Sequence, residues 1–203
     1  MTRIKLCGLK RTCDVEWANE CLPEYIGFVF AKKGKRYVTP KEAEALKKGL
    51  HKSIKAVGVF VDEEPESIAE LCRQGVIDMV QLHGSEDENY ISNLRGIVEC
   101  PIMKAFCIMT EQDIQRAKKS SADFVLLDSG KGSGSTFDWR LLQGMERRYF
   151  LAGGLAPENV TAAIKALQPY GVDASSSLET DGYKDKEKMK AFVEAVRQGK
   201  EER

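Results

Sequence analysis

Eight short apolar runs alternate with eight longer, charged and amphipathic segments along the whole chain. The runs, at residues 3–8, 25–30, 56–61, 79–83, 102–106, 124–128, 150–154 and 171–175, have the length and composition of strands. The segments between and after them, at 13–21, 40–49, 65–74, 86–94, 111–118, 139–145, 157–167 and 186–197, have the spacing of helices. Three of these carry Pro in an expected first turn, after Thr39, Glu64 and Ala156. Strand then helix, eight times in 203 residues, predicts one α/β domain over residues 1–203: a (β/α)8 barrel with a charged, frayed tail from about Gly199. An open doubly wound sheet would use fewer strands and a Gly-rich first turn. The first turn here is Cys7-Gly8-Leu9-Lys10-Arg11, which lacks that signature.

Composition narrows the partners. Lys plus Arg and Asp plus Glu each number 31, so no net charge argues for nucleic acid or a membrane surface as partner. No apolar run approaches the roughly 20 residues that cross a bilayer, and no signal-peptide segment follows the first basic residues. The expectation is a cytoplasmic protein and, with no strongly apolar helix face, a monomer. Six cysteines without a C-x-x-C pair read as reduced thiols packed as small hydrophobes. Cys7 is set apart by its position.

Cys7 closes the first strand and Asp128 the sixth, where strands of a parallel α/β protein hand over to ligand-binding loops. Side chains two apart share a strand face, so Lys5 pairs with Cys7, Gln81 with His83, and Leu126 with Asp128. Ile4, Leu6, Val80 and Leu82 then face the helices while the polar set points into the barrel. Several buried polar groups in one place need mutual partners or a ligand. His51, in a Lys-rich stretch, reads as a solvated surface residue. Strand seven ends in Gly153-Gly154 and strand eight in Ser175-Ser176-Ser177. Paired glycines let backbone N–H groups approach an anion, and barrels commonly hold phosphate after strands seven and eight. The loop 129–136 after Asp128, rich in Gly and Ser, reads as a lid and lacks the order of a P-loop. The set points to an enzyme acting on a phosphorylated small molecule.

Taken together, Lys5-Leu6-Cys7-Gly8, Gly27-Phe28-Val29-Phe30 with Arg36, Gly58-Val59-Phe60-Val61, Gln81-Leu82-His83-Gly84, Leu127-Asp128-Ser129, Thr136-Phe137-Asp138-Trp139, Ala152-Gly153-Gly154-Leu155 with Pro157-Glu158-Asn159-Val160, and Asp173-Ala174-Ser175-Ser176 resemble the phosphoribosylanthranilate isomerase family of tryptophan biosynthesis. The resemblance runs from Lys5 to about Asp185 in the same order. It implies an Amadori rearrangement of N-(5'-phosphoribosyl)anthranilate to 1-(o-carboxyphenylamino)-1-deoxyribulose 5-phosphate, without cofactor or metal. It also implies Asp128 as general acid, Cys7 as general base, Arg36 as the ligand of the anthranilate carboxylate, and Asp173 as a substrate contact. Gln81, His83, Gly153, Gly154, Ser175 and Ser176 complete the expected binding set. A thiolate can act as the base if Cys7 is partly ionised near neutral pH.

Two departures from the family pattern stand out. Ser177 replaces a usual Gly, where a left-handed backbone would be strained. Leu22-Pro23-Glu24 replaces a Gly-Ala-Asp turn, with effects expected in that loop alone. The competing readings are another phosphosugar barrel isomerase, whose chemistry usually needs two aspartates, and a catalytically silent barrel that only binds phosphate.

Overall fold

The computed structural model describes residues 1–128, 142 and 145–198. The loop expected as a lid over 129–136, the expected helix 139–145 apart from Leu142 and Met145, and the tail from Gly199 lie outside these residues. The described chain runs β1 (Arg3–Cys7), α1 (Thr12–Cys21), β2 (Tyr25–Val29), α2 (Pro40–Lys48), β3 (Lys55–Phe60), α3 (Pro65–Arg73), β4 (Met79–Leu82) and α4 (Glu88–Arg95). It continues through β5 (Ile102–Cys107), α5 (Glu111–Lys119), β6 (Phe124–Asp128), β7 (Tyr149–Ala152), α6 (Val160–Leu167) and β8 (Gly171–Ala174). A hairpin, β9 (Glu179–Thr180) and β10 (Tyr183–Lys184), precedes α7 (Lys186–Gln198). Strands β1 to β8 form a closed parallel barrel, sealed where β1 meets β8 with Lys5 opposite Asp173.

The expected alternation of faces holds. Ile4, Leu6, Val80 and Leu82 are buried in the layer between barrel and helices. A separate cluster, Val57, Met79, Met103, Leu126, Phe150 and Ala152, fills the barrel's interior with Tyr25, Phe124 and Tyr170 packed against it. Beyond that plug, at one end of the barrel, polar side chains take its place. Among the described residues no helix is long and apolar enough to cross a membrane.

Helix-start chemistry acts where the sequence suggested it, with one exception. At α2 the Thr39 hydroxyl accepts from the Glu42 N–H while the Glu42 carboxylate accepts from the Thr39 N–H, and Pro40 opens the helix. Pro65 opens α3 likewise. α6, expected from Pro157, starts at Val160 instead. The Asn159 side chain accepts from the Ala156 N–H and donates to the Gly154 carbonyl, holding 156–159 as a turn in competition with the helix.

Other expectations need correction. Of the six thiols only Cys7 is buried; Cys13, Cys21, Cys72 and Cys100 are half-buried, and Cys107, at the end of β5, is exposed. The Leu22-Pro23-Glu24 turn acts beyond its loop, because the Glu24 carboxylate accepts the N–H of Ile4 in β1 at 2.8 Å. His51 is exposed as expected, its ring hydrogen-bonded to Ser53.

Candidate active site

The end of the barrel left open by the apolar plug is a cavity of about 550 Å³. Cys7, Gln81, His83, Asp128 and Asp173 line it from four strands, β1, β4, β6 and β8, or the residue just past one of them, and Arg36 enters from the loop after β2. Gly153, Gly154, Ser175 and Ser176 line it from the connections after β7 and β8. Every expected site residue therefore opens onto one space.

Each is delivered by the strand register. Cys7 is the last residue of β1 and stands opposite Gly27 of β2. A Cβ at residue 27 would come within 2.7 Å of the Cys7 Sγ, so glycine is what leaves the thiol its room. Beneath Cys7 on the same face, Lys5 is fully buried and donates to both Asp173 oxygens at 3.0 Å. Burial works against the Lys5 charge, but the carboxylate of Asp173 and the thiol of Cys7 outweigh it and hold its pKa above the ordinary lysine value. Cys7 is held away from the thiolate form. Burial pushes its thiol up, Asp173 adds to the push, and the ammonium groups of Lys5 and Lys184 only partly offset it. The protonated thiol is thus the resting form at neutral pH.

On β4, Gln81 is buried and its side-chain nitrogen lies 3.0 Å from Nδ1 of His83. With the amide donating, Nδ1 is the acceptor and Nε2 carries the proton. Desolvation pushes the His83 pKa down, against the pull of Asp128, so the ring is neutral near pH 7. The other amide atom, Gln81 Oε1, is buried with no hydrogen-bond partner among the described residues. An orphaned acceptor costs about 1–3 kcal/mol, and at a cavity wall it marks a place where a ligand donor fits.

The connections after β7 and β8 are tied together. Gly153 and Gly154 have φ of +88° and +65°, conformations that exclude most side chains. The Ser177 hydroxyl donates to the Leu155 carbonyl at 2.5 Å, and Ser175 donates to the Cys7 carbonyl at 3.0 Å. Ser177 lies in a single 3-10 turn, Ser176–Leu178, and is not among the residues of positive φ. The strain anticipated for a serine there does not arise.

Arg36 is less available than the sequence implied. The Glu179 carboxylate accepts from its Nε at 2.6 Å and its Nη2 at 2.8 Å. Lys32, Lys33 and Lys35 around it are exposed. Glu179 and its hairpin partner Lys184 went unnoticed in the sequence, as did the buried pair of Lys104 with Glu86, which also accepts the N–H groups of Asp62 and Gly84. A signal for the hairpin was present: Asp181-Gly182 adopts positive φ at both positions, the dipeptide that favours a tight two-residue turn.

Comparison with known proteins identifies this arrangement. The family model of N-(5'phosphoribosyl)anthranilate (PRA) isomerase matches residues 4–195. N-(5'-phosphoribosyl)anthranilate isomerase of Thermoanaerobacter pseudethanolicus is 42% identical over 204 residues, covering 97% of this chain and 98% of the relative. The crystal structure of the phosphoribosyl anthranilate isomerase from Thermotoga maritima superposes with a TM-score of 0.89 at 35% identity, covering 98% of this chain and all of that one. A phosphoribosyl anthranilate isomerase solved in complex with reduced 1-(o-carboxyphenylamino)-1-deoxyribulose 5-phosphate gives a TM-score of 0.87 at 34% identity, over 98% of this chain and all of that one. The chain belongs to the N-(5'-phosphoribosyl)anthranilate isomerase family, isomerases of tryptophan biosynthesis.

Proposed function

We propose that the cavity rearranges N-(5'-phosphoribosyl)anthranilate to 1-(o-carboxyphenylamino)-1-deoxyribulose 5-phosphate with Asp128 as general acid and Cys7 as general base. The observation that carries this reading is that a thiol and a carboxyl group, at the ends of β1 and β6, open onto one cavity of substrate size. Asp128 protonates the furanose ring oxygen, the C1'–oxygen bond breaks, and the nitrogen lone pair forms a protonated imine. Cys7 then removes the C2' proton, and the C–H electrons move to give the enolamine, which tautomerises to the ketone. The cation of the imine favours the thiolate in a thiol that burial otherwise keeps protonated. One proton is given and one taken, and the oxidation of C2' to the ketone is matched by the reduction of C1' to the amine-bearing methylene, so no external oxidant or reductant is needed.

The remaining residues bind. Arg36 takes the anthranilate carboxylate through a charge-assisted pair of roughly 1.5–3 kcal/mol. The orphaned Gln81 Oε1 accepts a substrate hydroxyl, with His83 fixed beside it. Asp173 keeps acceptor capacity beyond Lys5, since a carboxylate has about four lone-pair sites. Gly153, Gly154, Ser175 and Ser176 surround the phosphate. We read the enzyme as a cytoplasmic monomer. Its six thiols are unpaired, as a reducing compartment allows. The exposed large apolar side chains among the described residues are scattered: Met1 at the N-terminus, Tyr183 on β10, and Leu22, Val61, Ile97 and Met109 in four separate connections.

Freshly prepared substrate, followed by loss of anthranilate fluorescence, tests the reading. Cys7→Ser and Asp128→Asn should each lower kcat by about 10²-fold or more with the fold intact. Near-normal turnover in either variant removes that residue from the chemistry, and no turnover by the wild type would favour a silent barrel.

A further inference from the structure

Arg36 sits in the long connection between β2 and α2, and a side chain of that length has many rotamers to lose before it can receive a ligand. Two features fix it. Its stem crosses Gly8, where an added Cβ would lie 2.3 Å from Arg36 Cδ. Its head is gripped by Glu179, which takes Nε and Nη2, the side-on donor pair of the guanidinium. What remains is the end-on edge, Nη1 with the second Nη2 hydrogen.

Glu179 is itself built in. It pairs directly with Lys184 across the β9–β10 hairpin, and the Lys184 ammonium donates to its Oε1 at 2.5 Å and to the Ser175 carbonyl at 2.9 Å. The Lys184 carbonyl accepts from Arg11 Nη2 at 2.6 Å, and Arg11 lies over the Tyr183 ring at 4.9 Å, so the hairpin is anchored to the start of α1. Burial opposes the Glu179 charge, yet Arg36 and Lys184 hold its carboxyl below the ordinary range.

We infer that Glu179 is a positioning and specificity residue that aims Arg36 at a monoanionic carboxylate and turns the phosphate end of the substrate away. This rests on the reading of Arg36 as the carboxylate ligand. The charge arithmetic supports it. Arg36 and Lys184 without Glu179 would present two adjacent positive charges, a pairing suited to a dianionic phosphate; with Glu179 between them one net charge remains. The substrate carries an anion at each end, so a site without this balance would accept it in either direction.

Two stable secondary-amine analogues of the product, one with the ortho-carboxylate and one without, separate the possibilities by calorimetric titration. Wild type should prefer the carboxylate-bearing analogue. Glu179→Gln should reduce that preference by about tenfold or more, while affinity for the analogue lacking the carboxylate and kcat stay close to wild type and KM rises. Glu179→Asp, which keeps the charge one methylene further back, should lie between. Arg36→Met should abolish the preference, and adding Glu179→Gln to it should change nothing more. Loss of the preference in Arg36→Met but not in Glu179→Gln would overturn the inference and leave Arg36 as the ligand. Retention of the preference in Arg36→Met would overturn the reading of Arg36 and the inference with it. Should Glu179→Gln fail to fold by circular dichroism, Glu179→Asp decides the matter by the same ratio.

Discussion

Lys5 donates to both carboxylate oxygens of Asp173 at 3.0 Å, across the seam where β1 and β8 close the barrel. The ammonium is fully buried and the carboxylate nearly so, which makes the pair costly to break and useful to the thiol above it.

Removing one partner strands the other. Lys5→Met should destabilise the barrel by about 3–5 kcal/mol, because an uncompensated carboxylate is left inside. Lys5→Met with Asp173→Leu should recover much of that loss in denaturant unfolding without recovering activity. The sign with pH follows from the raised Lys5 pKa. Its contribution is complete below the unfolded lysine value of about 10.4 and is lost as pH rises through the folded value. A Lys5→Met single variant within about 1 kcal/mol of wild type would show that the pair is not held as described.

Cys7 should titrate above an ordinary cysteine in the free enzyme, since burial is the largest influence on it. The ultraviolet thiolate signal, taken as the difference between wild type and Cys7→Ser, measures this directly. Lys184→Met should move the midpoint higher still, because it withdraws one of the two cations that favour the thiolate. A midpoint at or below the ordinary value of about 8.5 would contradict the balance of forces described here.

Room for the thiol is a separate requirement. Gly27→Ala brings a methyl group within 2.7 Å of Sγ and 3.2 Å of the Cys7 Cα, and the second of these is backbone that cannot swing aside. Displacing a reacting atom by about 1 Å costs on the order of 10²-fold in rate. Gly27→Ala should therefore lose kcat with little change in KM. Full kcat in a folded Gly27→Ala protein would mean that the base tolerates displacement.

The barrel was legible because period-two runs ending in Cys7, Gln81-Leu82-His83 and Asp128 put each polar side chain on the inner face at the same end. Six of the strands stop one or two residues earlier than the apolar runs do, since residues such as Gly8, Phe30, His83 and Gly153 already belong to the loops that carry the site, whereas β6 ends at Asp128 as expected and β5 runs on to Cys107. What stayed hidden depends on pairing at long range. Nothing local to Glu179 announces Arg36, which lies 143 residues away, and nothing local to Lys5 announces Asp173, 168 residues away. The ionisation of Cys7 was left open in the sequence for a related reason: position on a strand does not reveal how completely the fold dries a side chain. The start of α6 failed because Asn159 uses its amide to cap a turn, a choice that depends on the Gly154 carbonyl being within reach.

The connections after β7 and β8 give the last test. At φ +65° Gly154 occupies a region that a β-branched residue enters only with strain. Its substitution should reshape the backbone where we have the phosphate approach. Gly154→Val should lose affinity for the phosphorylated product while keeping its circular dichroism spectrum. The dephosphorylated product serves as control, since it needs the rest of the cavity but not this turn. If Gly154→Val weakens only the phosphorylated ligand, the turn holds the phosphate. Equal weakening of both would mean that the glycine maintains the cavity as a whole, through the Asn159 bond to the Gly154 carbonyl, and that the anion lies elsewhere.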